Sequence, residues 1–189
     1  MNEVIHEAVV STVSREGRPH VAPMGVRYQM GDVILMPFQP STTHDNIVAS
    51  GFAVLNIVVD TRVFAGCVTG RRDWPTVPAE RVPGVRLQLA LSHVELRLAA
   101  RDDDVQRPRL RMARVHEVQH APFVGINRAQ AAVLEAAVLV SRLHLLPAAK
   151  VDSEMAYLQI AVEKTAGPAE HEAWGWLTAA VARHRLEAS

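Results

Sequence analysis

The sequence of 189 residues has a single cysteine, Cys67, which excludes an internal disulfide framework and a cysteine-based zinc site. Cys67 lies in the apolar run Val63–Val68 and reads as a small buried side chain. Charge of one sign is also missing. Its 20 basic and 20 acidic residues cancel, so no net field draws the chain to nucleic acid or to an anionic membrane. No run approaches the roughly 20 apolar residues of a membrane span. The opening Met1-Asn2-Glu3-Val4-Ile5-His6-Glu7 lacks the basic-then-apolar order of a signal peptide, so a cytoplasmic location is expected. G-x-G-x-x-G, the P-loop, G-x-S-x-G and H-E-x-x-H are all absent. Classical nucleotide folds, serine hydrolases of the nucleophile-elbow type and zincin proteases therefore lose their support. His116 and His120 fall on an expected strand, where a spacing of four separates Cα atoms by roughly 13 Å. One metal cannot take both, and no metal site is expected.

What is present describes an ordinary globule, with 49% apolar and 21% charged residues. Val4–Ser14 is rich in β-branched residues, and Arg15-Glu16-Gly17-Arg18-Pro19 supplies a turn. His20–Gln29 resumes an extended pattern. Pro23 and Gly25 inside it suggest an edge or a bulge, where a ligand can approach the backbone. Met30-Gly31-Asp32 turns into Val33–Phe38, so residues 4–38 read as a three-stranded meander. A short helix from about His44 to Ser50 stops at Gly51. Phe52–Val59 has strand length, and Asp60-Thr61 can cap a second short helix through Thr69. A loop with prolines 75, 78 and 83 precedes two long strand candidates, Val85–Ala100 and Pro108–Pro122, separated by the solvated turn Arg101–Asp104.

After Pro122 the pattern becomes helical. Asn127 is a good N-cap for a helix to about Leu145, with an apolar face at Ala129, Ala132, Val133, Ala136, Ala137, Val140 and Leu143. A second helix is expected over 152–165 and a third from Pro168 to about Leu186. Strands followed by helices argue an α+β fold, with a β-rich body over 1–122 and a three-helix extension over 123–189.

Four groups of residues invite a chemical reading. Ser41-Thr42-Thr43 precede or open a short helix. Either Thr43 is an N-cap with Ser41 and Thr42 as loop polars, or the three form an anion site, since helix N–H groups and the dipole favour a phosphate there. Along Pro23-Met24-Gly25-Val26 a flat amphipathic ring can lie against the main chain; the plain alternative is an irregular edge strand. Asn56, an amide inside an apolar strand, needs either backbone or ligand partners. Arg128, Glu135 and Arg142 share one side of the first long helix, as a solvated face or as a buried polar stripe against the barrel. No catalytic residue stands out.

The ordered set resembles a family. Gly17-Arg18-Pro19 is followed by Ala22-Pro23-Met24-Gly25-Val26, then by Pro37-Phe38 and by Ser41-Thr42-Thr43 with Asn46. Val54–Val58, Phe123–Ala129 with Glu135 and Arg142, and Lys164-Thr165-Ala166-Gly167 complete the order. It is similar to the DUF447 proteins, which join an FMN-binding split β-barrel to a C-terminal helical extension. Thr43-x-x-Asn46 before a strand with Asn56 is similar, more distantly, to the Thr-x-x-Asn segment of flavin-reductase-like barrels. Ser41-Thr42 stand where those reductases often carry Lys-Asp. The resemblance implies that Ser41, Thr42 and Thr43 hold the FMN phosphate, that Asn46 lies near the phosphate or ribityl chain, and that Pro23, Met24, Gly25 and Val26 line the isoalloxazine. Asn56 is a further lining candidate, and Arg27 a substitute positive charge. It also implies a cytoplasmic homodimer with the flavin at the subunit interface and redox chemistry with a small molecule, with a pterin-linked substrate in one-carbon metabolism suggested by other family members. The alternatives are a non-catalytic flavin carrier or sensor, and a cofactor-free dimeric interaction module.

Overall fold

The computed structural model describes residues 4–102 and 104–187. Asp103 of the expected acidic turn, and Met1, Asn2 and Glu3 of the N-terminal reading, lie outside them. The chain forms two compact units. The first runs to Val58 and resumes over Asp73–Phe123; the second joins Val59–Arg72 to the residues from Val124 onward.

In the first unit, β1 (His6–Val13), β2 (Pro19–Gln29) and β3 (Asp32–Leu35) form the expected meander. Gly17 and Gly31 take the positive φ angles, 79° and 86°, that its two turns require. Helix α1 (Thr42–Ser50) follows and ends at Gly51, which adopts the left-handed conformation and donates its N–H to the Ile47 carbonyl. β4 (Phe52–Ile57), β7 (Ser92–Arg101) and β8 (Leu110–Gln119) complete a closed antiparallel barrel in the order β1-β2-β3-β8-β7-β4. Alternate residues point inward. Ala8, Val10, Val26, Val33, Leu35, Leu55, Val94, Leu96, Leu110 and Met112 fill the barrel, and Ile47 of α1 joins this core.

The sequence pattern joins Val85–Ala100 into one strand, but the structure breaks it. β5 (Thr76–Pro78) and β6 (Val85–Leu87) form a separate two-stranded hairpin, and the chain turns before β7. The apolar alternation changes phase at the break, from Val85, Leu87, Leu89 and Leu91 to Val94, Leu96 and Leu98. What ends the strand is tertiary: Gln88 N–H donates to Pro75 O at 3.0 Å and Leu91 N–H to Ile57 O at 2.8 Å.

The second unit holds α2 (Arg62–Val68), α3 (Arg128–Val140), α4 (Ala148–Thr165) and α5 (Pro168–Glu187). Cys67 is buried in α2. α3 buries the alanine-rich face read from the sequence but stops at Val140. Arg142 leaves helical geometry at φ −122°, and a 3-10 turn at Leu143–Leu145 leads into Pro147. Arg128, Glu135 and Arg142 are exposed, so the charged stripe is a solvated face. Asn127 caps α3 and also reaches α4. Its Oδ1 accepts the Ala129 N–H at 2.7 Å and its Nδ2 donates to Thr165 O at 2.9 Å. Asn127→Ala removes both bonds and is expected to cost about 1–2 kcal/mol. Differential scanning calorimetry should then show a Tm lower by about 2–6 °C; an unchanged Tm would deny the cap this role.

Candidate functional site

The outer face of the barrel is unusual in being buried over β1, β4 and β7. Ser11, Asn56, His93 and Glu95 point outward there, yet each is 0% exposed. The segment 74–91, with its β5–β6 hairpin, gives Ser11, Asn56 and Glu95 partners. Ser11 Oγ donates to Val85 O at 2.5 Å. Asn56 Oδ1 accepts the Leu87 N–H at 2.7 Å, while its Nδ2 donates to Val9 O, Ser11 Oγ and Val54 O at 3.2, 2.9 and 3.2 Å. Backbone and serine thus meet the needs of this buried amide, and Asn56 keeps no side-chain surface for a ligand.

β2 is the wall beside this covered face. Val9 stands opposite Pro23, Ala8 opposite Met24, Glu7 opposite Gly25 and His6 opposite Val26. Val26 lies in the core and Met24 packs against it, so alternation turns Pro23, Gly25 and Arg27 to the outer side. Of β2, only Val26–Gln29 pairs with β3. Within the sheet, Pro19–Gly25 is therefore paired by β1 alone. The expected edge exists as half a strand, and the β1 register passes through Pro23 without a bulge. Residues 22–25 are all half-buried. Gly25 is required by close approach, since a Cβ there would lie 2.6 Å from Ile5 Cγ2. Arg27 donates from Nη1 to Met36 Sδ at 3.3 Å on this same side.

α1 lies against β1, β2 and β4. Its N-cap is Ser41 rather than Thr43. The Ser41 φ and ψ of −154° and 144° are extended, and its Oγ accepts the His44 N–H at 3.3 Å. The N–H groups of Thr42 and Thr43 open the helix without an acceptor among the described residues. Thr42 is exposed and Thr43 buried. His44, which no sequence motif marks, organises this entrance. Its Nδ1–H donates to Asp45 Oδ1 at 3.0 Å and its Nε2 accepts from Gln39 Nε2 at 2.7 Å, fixing the loop before Ser41. Asn46 is turned toward the barrel end, donating from Nδ2 to Thr12 Oγ1 at 3.0 Å. His44, Asp45 and Asn46 also line an open cleft of about 430 Å³ whose other wall is the β1–β2 turn, Ser14, Arg15 and Glu16. Arg15 is a cation near this helix that the sequence reading did not select.

A closed six-stranded antiparallel barrel in which half of β2 lacks a second neighbour, with a helix packed into its core, is a split β-barrel of the flavin-reductase type. The chain belongs to the DUF447 family. The family model described as "Protein of unknown function (DUF447) N-terminal domain" matches residues 6–121, and its C-terminal counterpart matches residues 127–179. The FMN-bound DUF447 protein MM1853 of Methanosarcina mazei is 21% identical, with a TM-score of 0.80 over 95% of this chain and 96% of that one. The 2-nitrobenzoate 2-nitroreductase NbaA of Pseudomonas fluorescens is 17% identical, with a TM-score of 0.53 over 64% of this chain and 66% of that one. Flavoredoxin of Desulfovibrio vulgaris (Miyazaki F) is 14% identical, with a TM-score of 0.52 over 64% of this chain and 73% of that one. At these identities the likeness establishes the fold. No curated protein matches the chain. Among the described residues no helix is long and apolar enough to cross a membrane.

Proposed function

We propose that the protein is a cytoplasmic FMN-binding oxidoreductase acting on a small molecule, and that it works as a homodimer with the flavin between subunits. The observation that carries the reading is a pair of donor sets on one barrel unit. The first is the start of α1, where Ser41, the Thr42 hydroxyl and two first-turn N–H groups suit a phosphate. The second is the half-strand Ala22–Gly25, whose main chain lacks a sheet neighbour on one side and suits the polar rim of a flat ring. Pro23 and Gly25 present the surface, Met24 and Val26 anchor it from inside, and Asn46 holds α1 to β1. The likeness to an FMN-bound member of the same family supports the assignment. FMN would supply hydride or electron transfer, which explains why no acid–base constellation is needed from the chain. Two copies would enclose the ring better than one small barrel does.

The purified protein is expected to be yellow and to release FMN on denaturation, about one per chain. A colourless protein that takes up no added FMN would sink the reading and favour a cofactor-free interaction module. Anaerobic bleaching by a nicotinamide nucleotide or a reduced pterin would establish the oxidoreductase. Bound flavin that exchanges electrons with neither would mark a carrier or sensor.

A further inference from the structure

Where β7, the end of β8 and the 79–84 strap meet, the barrel unit holds a hydrogen-bonded chain of titratable groups that the flavin reading does not use. Glu95 accepts the N–H groups of Glu80 at 2.6 Å, Arg81 at 2.7 Å and Val82 at 2.8 Å. His93 Nε2 stands 3.2 Å from Glu95 Oε1, and His93 Nδ1 stands 2.9 Å from His120 Nε2. The planes of the two imidazoles differ by only 5°, as an in-plane hydrogen bond allows. His93 and Glu95 are 0% exposed, whereas His120 reaches the surface. The tautomers follow from the partners. An ionised Glu95 only accepts, so His93 donates from Nε2 and accepts at Nδ1, and His120 donates from Nε2. The one nitrogen left to take a proton from water is Nδ1 of His120.

We propose that His120 is the proton-sensing end of a latch, His120–His93–Glu95, that holds the strap to the barrel wall and releases it as pH falls through the imidazole range. The charges around His120 are arranged for this. Burial lowers its pKa below the usual histidine value, the Arg86 guanidinium of β6 and the His93 ring lower it further, and Glu80 pulls weakly the other way. A histidine whose folded pKa is depressed stabilises the fold above its unfolded value of 6.5, and that stability is lost as pH falls through the folded value. Protonated at Nδ1, His120 still donates from Nε2 to His93, but its charge repels Arg86 on the hairpin that carries the strap, which favours opening of the strap into water. One group acts in the opposite sense. His116 Nε2 lies 3.2 Å from Glu80 Oε2 and ties the strap to β8. That pair is partly solvated and contributes little. Arg81 lies on the strap itself, and Glu117 is paired with Arg114 at 2.9 Å. Glu95 titrates outside this window. Burial would raise its pKa, but the three strap N–H groups and His93 outweigh that and hold it below the usual 4.5.

The test is residue-resolved amide hydrogen exchange on the full chain between pH 8 and 5, corrected for intrinsic rates. Protection of Glu80, Arg81 and Val82 is expected to fall at least tenfold from pH 8 to pH 5, while Leu55 and Leu96 in the β4–β7 ladder keep theirs. His120→Gln supplies a neutral amide donor that does not titrate and should flatten the profile. Constant protection of the strap in the natural protein, or the same fall in His120→Gln, would overturn the proposal. Neither result depends on bound flavin.

Discussion

Glu95→Ala is expected to lower stability by about 3–5 kcal/mol. The reasoning rests on what remains behind. Three consecutive strap N–H groups and the His93 ring converge on one carboxylate that has no contact with solvent. Removing it leaves those donors buried without an acceptor, and an alanine side chain cannot fill the space. For a chain of this size the change corresponds to a fall in Tm of about 10 °C or more. Glu95→Gln should be milder, because an amide oxygen still accepts while its NH₂ group confronts a donor. The acid limb carries the same signature. The carboxyl is held below its ordinary value of 4.5, so its contribution is complete above that pH and is lost as pH falls through the folded pKa. Guanidinium unfolding curves of the two variants would decide. A loss below about 1 kcal/mol for Glu95→Ala would mean that the strap is not tied through this group.

Ser41→Asp is expected to weaken FMN binding at least about 100-fold, or ~2.7 kcal/mol, while leaving the fold intact. Aspartate caps a helix as well as serine does, so the bond to the His44 N–H survives. The new carboxylate stands where the proposed phosphate would sit, and the first-turn dipole that favours one anion does not accommodate two. Riboflavin, which has the ring without the phosphate, should bind the variant and the natural protein alike. Fluorescence titration with both ligands therefore separates a phosphate effect from a damaged ring site. Equal FMN affinity in the two proteins would remove Ser41 from the phosphate site and leave the half-open β2 as the only support for the flavin.

The meander, α1 and the C-terminal helices could be read from the chain because their signals are local. Gly17, Gly31 and Gly51 mark turns and a helix end, and Ala129 through Val140 carry a helical period. The latch could not be read in the same way. Within Val94-Glu95-Leu96, a charged residue alternating with apolar ones is the pattern of a strand with a wet outer face. Only the hairpin folded back from residues 76–87 makes that face dry, and its contacts with Glu95 span 13–15 positions. The one legible hint was Asn56, an amide too polar for its strand, and its oxygen leads to this hairpin at Leu87. The α1 cap was off by two positions because three hydroxyl residues in a row are equivalent as text, and only backbone angles distinguish the residue that stands outside the helix.

The contribution of Val59–Arg72 to the second unit bears on how this protein can be cut. The backbone passes between the units three times, so neither is a contiguous stretch of sequence. A fragment ending at residue 122 would carry α2 away from α3 and α5, with Val63, Phe64, Ala65 and Cys67 stripped of their cover. Genetic excision, fusion or exchange of the C-terminal helices therefore has to take the two stretches together.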